Sequence, residues 1–415
     1  CYSAPADIDF KQALSQVETS IHLGLYRNQT ARQSTWHIPQ AHYLESWGDA
    51  SAADGTQSVI QPLIAPLFDG IMTAQMANLI TIGANAGGYD IVRDTWQGIL
   101  GRSNFENKWR KVVHEGVSSR DPERDVIESI GSMNLAKVLV DEWMEATESA
   151  EGMHVVFSAS PSVYDGRFAN NGWVQELPHP ISKLTWDNAA VVSPKTADEQ
   201  NVKNGDMVKL SYKGRELEMP IWIVPGTADN TVVLELGYGR KNLGRVADGV
   251  GFNTYALRTS DAMYYGTGLT MTKTGKTYPL ASTQDHGSME GRPLVREATL
   301  EEYREHPNFA PEAVHHPPLV SMWEDHKYDD GYQWGMAIDL TSCVGCNTCT
   351  IACQSENNIA IVGKEQVQNG REMHWIRIDR YFIGGVDKPS VVHQPVACMH
   401  CEMAPCEQVC PVAAT

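Results

Sequence analysis

Eight of the nine cysteines lie in two runs near the end of a 415-residue chain: Cys343, Cys346, Cys349 and Cys353, then Cys398, Cys401, Cys406 and Cys410. The first run reads C-x2-C-x2-C-x3-C and the second C-x2-C-x4-C-x3-C-P, with Pro411 directly after the last thiol. Thiolate ligation of iron–sulfur clusters explains this spacing. A cubane cluster takes several thiolates from one side, and two-residue spacers supply them together with backbone N–H groups that can bond the sulfurs. The three-residue step carries the fourth thiol along a helical turn toward a neighbouring cluster, so each run supplies three ligands to one cluster and one to another. All eight cysteines are therefore the expected metal and cofactor ligands. Structural zinc is the bland alternative, but zinc takes four ligands, usually as two spaced pairs, and a four-thiol run closed by Cys-Pro suits it poorly. Disulfides within the first run fail because Cys343, Cys346 and Cys349 are too bunched to pair in relaxed geometry. Between the ligands, the backbone at Val344-Gly345 and Asn347-Thr348 and the side chains of Met399, His400, Glu402 and Met403 are candidates for tuning a cluster. Plain packing or solvent contact weighs equally for each.

Nothing else in the chain has the pattern of a catalytic site. No G-x-S-x-G motif occurs, and the G-x-x-x-x-G from Gly239 to Gly244 is followed by Arg245-Val246 where a phosphate loop needs Lys and Ser or Thr. Residues 1–260 show no convergent acid, base or nucleophile, so no independent catalytic residue is expected and this half reads as scaffold. His306, His315, His316 and His326 lack a helical i, i+4 partner or a nearby Cys, which favours solvated or backbone-bonded roles over metal ligation. The formal charge of −18 disfavours nucleic acid as a partner, because phosphate binding needs a basic surface. With 42% apolar and 20% charged residues the chain reads as globular, long enough for two or three domains. The most apolar stretch, residues 59–82, contains Gln61, Pro62, Pro66, Asp69 and Gln75 and does not suit a lipid-facing span of about twenty residues. Cys1 reads as the edge of a longer chain.

The elements that must position the thiols follow from periodicity. Residues 1–185 predict an α/β domain, with a buried strand at MHVVFS (153–158), an amphipathic acidic helix over residues 125–150, and a tight turn or close backbone approach at Gly83, Gly87 and Gly88. Residues 186–265 predict a small β-barrel: Asn204-Gly205-Asp206 precedes an alternating strand at 207–212, Lys213-Gly214 turns, and strands follow at 219–224 and 231–236. Residues 266–331 read as a connector rich in Thr, Gly, Pro and His. Residues 332–415 form the cluster module, with strands at 334–340, at WIRIDRYF (375–382) and at 391–396.

The cluster segment resembles the electron-transfer subunits of the molybdopterin oxidoreductase superfamily, which carry four Cys runs. There the first run lacks a following Pro and the second has the x4 step and Cys-Pro; here Gln354 follows Cys353, and Cys406 and Pro411 match. The upstream part resembles the late portion of a molybdopterin catalytic subunit, on the phrases APADIDF, WHIPQAHYLESWGDA, QPLIAPLFDG and NNGWVQELPHPISKLTWDNAA. In module order the chain is similar to the large iron–sulfur subunit of bacterial alternative complex III. The resemblance implies a fold of α/β plus a small β-barrel of the double-psi type, followed by an α+β ferredoxin-like iron–sulfur domain. It implies [4Fe-4S] clusters, with one [3Fe-4S] allowed, and no molybdopterin. It also implies a peripheral subunit on the periplasmic face of the bacterial inner membrane, within a hetero-oligomeric complex of integral-membrane quinol-binding subunits and c-type cytochrome subunits. In such a complex electrons pass from quinol through the clusters toward c-type haems; a molybdenum reductase of the polysulfide or tetrathionate type is the alternative. On the family's pairing, first run with fourth and second with third, none of the clusters is complete within this sequence. Either the remaining runs lie elsewhere, the favoured reading, or the two runs pair with each other as in a small ferredoxin.

Overall fold

The computed structural model describes residues 1–118 and 152–411 except 316, 319, 325, 326, 328, 333, 334 and 402. The helix expected over residues 125–150 lies outside the described residues, as do His316, His326, Trp334 and Glu402. The chain divides into two compact units, one of residues 1–150 with 241–243, the other of residues 151–240 and 244–415. Among the described residues no helix is long and apolar enough to cross a membrane.

In the first unit a short parallel pair, β1 (Ile21–Gly24) and β2 (Trp36–Pro39), precedes an antiparallel sheet of β3 (Gly48–Ser51), β4 (Gln57–Ile60) and β5 (Val117–Ser118). Helices Thr73–Ile82, Gly88–Leu100 and Phe105–Glu115 supply its core, in which Val92, Trp96, Phe105, Trp109 and Val112 pack against Val59 and Met72. Their spacing of three and four residues places each set on one helical face. The glycine cluster makes the expected turn: Gly83 ends the first of these helices in the left-handed region at φ 68°, and Gly87 caps the next.

The second unit is built on a closed six-stranded barrel of β6 (Met153–Ala159), β8 (Ala190–Val192), β9 (Asp206–Tyr212), β10 (Arg215–Ile223), β11 (Thr231–Leu236) and β12 (Tyr265–Thr277). Strands β11 with β6 and β10 with β8 run parallel, and the other neighbours antiparallel. Alternation sets the inside: Val155, Val208, Leu210, Met219, Ile221, Val232, Leu234 and Leu269 are all fully buried at 0% exposure. Lys213 (φ 47°) and Gly214 (φ 75°) form the two-residue β9–β10 turn, both left-handed as such a hairpin requires. A small antiparallel pair, β7 (Leu184–Thr185) with β13 (Ala281–Ser282), flanks the barrel.

Two expectations change here. The strand at 153–159 is a barrel stave, so it belongs to the second unit and not to an α/β domain ending at 185. The supposed connector begins with a thirteen-residue strand, β12, which pairs with β6 at its start and with β9 further on. Its Thr- and Gly-rich composition hides it, yet Thr is a good strand former. The glycines are functional: the pairing register shifts between Thr267 and Leu269, where Gly268 sits at φ 90°, and a Cβ at Gly266 would collide with the Tyr212 hydroxyl. This bulge lets one strand close the barrel on two neighbours.

The cluster module contributes an antiparallel hairpin, β14 (Ile376–Ile383) with β15 (Ser390–Ala397), as the periodicity at 375–382 and 391–396 anticipates. No strand forms among the described residues of 335–340, which lack a partner because β14 and β15 pair only with each other. Leu234→Ala, at a fully buried stave position, is expected to cost about 2–5 kcal/mol of stability in a denaturant titration.

Candidate iron–sulfur site

Each cysteine run is built from the same local pieces. In the first, Asp339 accepts hydrogen bonds from Thr341 N (2.9 Å) and the Ser342 hydroxyl (2.8 Å), and its carbonyl accepts from Cys343 N (3.0 Å). That turn delivers Cys343. The loop then passes through the left-handed region at Gly345 (φ 66°) and Asn347 (φ 62°), and the helix Thr348–Glu356 carries Cys349 and Cys353 one turn apart. In the second run Cys398 follows the last residue of β15, His400 takes φ 51°, and the helix Pro405–Val409 starts the turn that separates Cys406 from Cys410. Gly345 and His400 hold the same place, third in each C-x2-C. A left-handed residue next to right-handed ones turns successive N–H groups to one side, the backbone form that makes anion cradles around iron–sulfur clusters.

Cys343, Cys353 and Cys410 are half-buried and the other five are exposed, and none of them is in a disulfide. Cys346 lies 3.1 Å from the Thr348 hydroxyl, and hydrogen bonding by that side chain and by the Thr348 backbone holds its thiol below the usual range. Thr348 thus meets a thiol of the run directly. Asn347 acts instead as an anchor, since it is buried and its Nδ2 donates to Pro178 O at 2.7 Å. Met399 and Met403 are exposed. Among the described residues no three His, Cys, Asp or Glu side chains converge on a single-ion site.

The first run is gripped by the segment that follows β6 and leads to β8. Trp173 Nε1 donates to Ile359 O at 2.7 Å, just beyond the ligand helix, while Asn347 fixes the helix start. Glu176, at 0% exposure, accepts from Trp186 Nε1 (3.0 Å), Val362 N (3.0 Å) and Gly363 N (2.8 Å). Lys364 pairs with Asp187 at 2.6 Å and lies 3.9 Å from the centre of the Tyr278 ring, whose hydroxyl donates to the other Asp187 oxygen. Burial pushes the Asp187 carboxyl up, and Lys364 and Tyr278 draw it back. Gln284 exchanges two hydrogen bonds with the Arg380 backbone. A Cβ at Gly172 would strike Ile361. Most of the barrel-side partners lie in NNGWVQELPHPISKLTWDNAA, which therefore serves as a docking strip. No periodicity marks it; the one signal available was a run of Trp, Glu, Lys and Asp in a stretch otherwise suited to burial.

Lys183 and Arg380 are buried at the hairpin, 1% and 5% exposed. Lys183 Nζ donates to Ile378 O (2.5 Å) and Arg380 Nε to Ile181 O (2.7 Å). Burial, then the Arg380 charge, pushes the Lys183 ammonium down to about 8, and burial pushes Arg380 down to about 10. His393, opposite Arg380 in the hairpin, occupies the space where a Gly345 Cβ would stand and shares an open cleft with Cys343.

The barrel also holds a polar cavity that departs from the expectation of no convergent groups. Ser160, Ser162, His179, Glu235 and Tyr238 line it. His179 Nδ1 accepts from Ile181 N (3.2 Å) and Ser182 N (3.0 Å), so its Nε2–H donates to Glu235 Oε1 at 2.9 Å. Both ring nitrogens are engaged, and neither is placed to take a proton from a hydroxyl. Burial pushes the Tyr238 phenol up, away from ionisation. The cavity satisfies hydrogen bonds without activating a nucleophile. His306 and His315 are exposed.

The 4Fe-4S dicluster domain family matches residues 342–414. The menaquinone reductase iron–sulfur cluster-binding subunit of Nitratidesulfovibrio vulgaris is 39% identical over 87 residues, 20% of this chain and 32% of that protein. A subunit of the sulfite dehydrogenase of Allochromatium vinosum is 35% identical over 88 residues, 20% and 37% of the two chains. A subunit of the tetrathionate reductase of Salmonella typhimurium is 35% identical over 98 residues, 22% and 34%. The chain thus spans about a third of the length of these curated relatives. Acetylene hydratase from Pelobacter acetylenicus aligns at TM-score 0.42 and 13% identity over 60% of this chain and 37% of that one, a likeness too slight to assign a fold.

The donor set fits the group: eight free thiols in two runs, each with a left-handed residue in the third place of its C-x2-C. Glu176→Ala leaves one buried and two half-buried donors unpaired and is expected to cost on the order of 3 kcal/mol, with faster amide exchange across residues 359–367. Between about pH 8 and the usual lysine value near 10.4 the folded, iron-free chain binds fewer protons at Lys183 than the unfolded one. Its stability should therefore rise with pH over that window, and Lys183→Met should flatten the slope in pH-dependent melts. Residues 342–414 match the 4Fe-4S dicluster domain and are similar to subunits of several oxidoreductases, an iron–sulfur cluster-binding one among them.

Proposed function

We propose that this chain is an electron-transfer iron–sulfur subunit of a membrane-associated quinol oxidoreductase, carrying electrons from quinol toward c-type haems. The observation that carries the reading is the pair of thiol cradles inside a 4Fe-4S dicluster domain. Cys343, Cys346, Cys349, Cys353, Cys398, Cys401, Cys406 and Cys410 are the proposed ligands. Bound clusters supply one-electron carriers with potentials anywhere from roughly −700 to +450 mV. The chain itself holds the thiolates, aims N–H groups at the sulfurs and braces the first-run helix against the barrel. On this reading the upstream unit and the barrel, taken as the double-psi type, are scaffold without molybdopterin. The complex is that of bacterial alternative complex III, and the chain sits on the periplasmic face against integral-membrane quinol-binding and c-type cytochrome subunits. The similarity to a menaquinone reductase subunit supports the quinol part.

The similarity to a tetrathionate reductase subunit favours a second reading, an iron–sulfur subunit of a molybdenum reductase. Stoichiometric molybdenum in the purified complex would decide for it. In the wild-type complex, quinol is expected to reduce cluster EPR signals, and Cys343→Ser and Cys398→Ser should each remove a different one. An iron-free, EPR-silent wild type rejects the ligand assignment, and signals that quinol cannot reduce reject the quinol route.

A further inference from the structure

Lys183 and Arg380 are buried cations whose hydrogen-bond partners are all neutral. Lys183 meets the Ile378 carbonyl; Arg380 meets the Ile181 carbonyl and lies 4.4 Å from the centre of the Phe382 ring. Among the described residues neither makes an ion pair. Asp379, the one carboxylate that acts on Lys183, points both oxygens at Arg377 Nε, at 3.0 and 3.2 Å. The two cations repel each other, and both bear on His393. A buried charge is costly unless a counter-charge faces it. This chain has 51 acidic residues against 33 basic ones, yet among the described residues no carboxylate forms an ion pair with either cation.

The missing charge has a direction. Lys183 is bonded to β14 at Ile378 and Arg380 stands on that strand; His393 lies opposite Arg380 on β15; the His393 ring abuts Gly345; and Gly345 lies between Cys343 and Cys346. Past that glycine, the groups of the right sign are the thiols of the first run, which are anionic when they ligate metal. We infer that Lys183 and Arg380 are the buried counter-charge of the cluster held by Cys343, Cys346 and Cys349, raising its reduction potential and helping to retain it. This rests on the ligand assignment proposed above. Reduction adds an electron to an anionic group, so a nearby buried cation stabilises the reduced form, and its removal lowers the potential.

The test uses the full chain in its complex, with Lys183→Met, Arg380→Gln and the charge-conserving Lys183→Arg. Arg380→Gln keeps an amide donor for the Ile181 carbonyl, so it reports on charge even where Lys183→Met fails to fold. EPR-monitored redox titration is expected to lower the midpoint of the signal that Cys343→Ser abolishes, by about tenfold in the one-electron equilibrium, which is about 59 mV. Lys183→Arg should hold the wild-type value. In melts, the two charge-removing variants should be less stable than wild type with iron bound and more stable once it is stripped, because only the stripped protein carries the cations uncompensated. An unmoved midpoint at full iron content, or melting shifts of the same sign in both forms, overturns the proposal while leaving the ligand assignment standing. A wild type without cluster signals overturns both.

Discussion

A carboxylate with no access to water, Glu176, is the constraint on which the arrangement of this molecule turns. It sits at the end of the Gly172–Glu176 helix, and two of its three donors are backbone N–H groups of the segment that follows the first ligand helix. Lys183 and Asp187 repeat the pattern a few residues on, each buried and each answered from the cluster module, the first by the Ile378 carbonyl and the second by Lys364. Without those partners the barrel would carry several uncompensated polar groups at once. The barrel and the module therefore form one compact unit, although the sequence separates them by a long Thr-, Pro- and His-rich stretch.

The same contacts explain why the first thiol run is better supported than the second. Asn347 and Ile359 bracket the ligand helix and both bond to the docking strip, so the helix is held at each end by groups that are themselves locked in place. Preorganising ligands through a rigid outer layer is what keeps a metal site in register. The hairpin adds a second support. One end of β15 leads straight into Cys398, while His393, near its middle, props the Gly345 loop. A single two-stranded element thus links the two runs, and the inner positions Ile378, Tyr381 and Val392 bury it against the rest of the unit.

The barrel's polar cavity fits a scaffold role. His179 and Glu235 could be mistaken for half of a catalytic relay, but two backbone donors occupy the histidine's second nitrogen, leaving the pair a structural tie between the docking strip and β11. The buried cations without an ion-pair partner among the described residues, Lys183 and Arg380, lie elsewhere, at the hairpin.

Much of this was legible in the residues because the relevant forces act over a few positions. Thiol spacing encodes ligation, the alternation at 231–236 and 375–382 encodes strands, and Lys213-Gly214 encodes its turn, since sterics and side-chain direction are local. Strand β12 escaped notice because its threonines and glycines mimic a loop, and only the neighbouring staves show that its glycines serve a bulge and a close approach to Tyr212. The docking strip was recognisable as a phrase but not as an interface. Its meaning depends on partners such as Ile359, Ile378 and Arg380, which lie 186, 195 and 199 residues from Trp173, Lys183 and Ile181. The sequence alone determined which atoms could bind iron and where the chain would turn. Which buried charge meets which donor was decided only by the closed tertiary structure, because the energy of a buried charge depends on its whole surroundings and not on its neighbours in the chain.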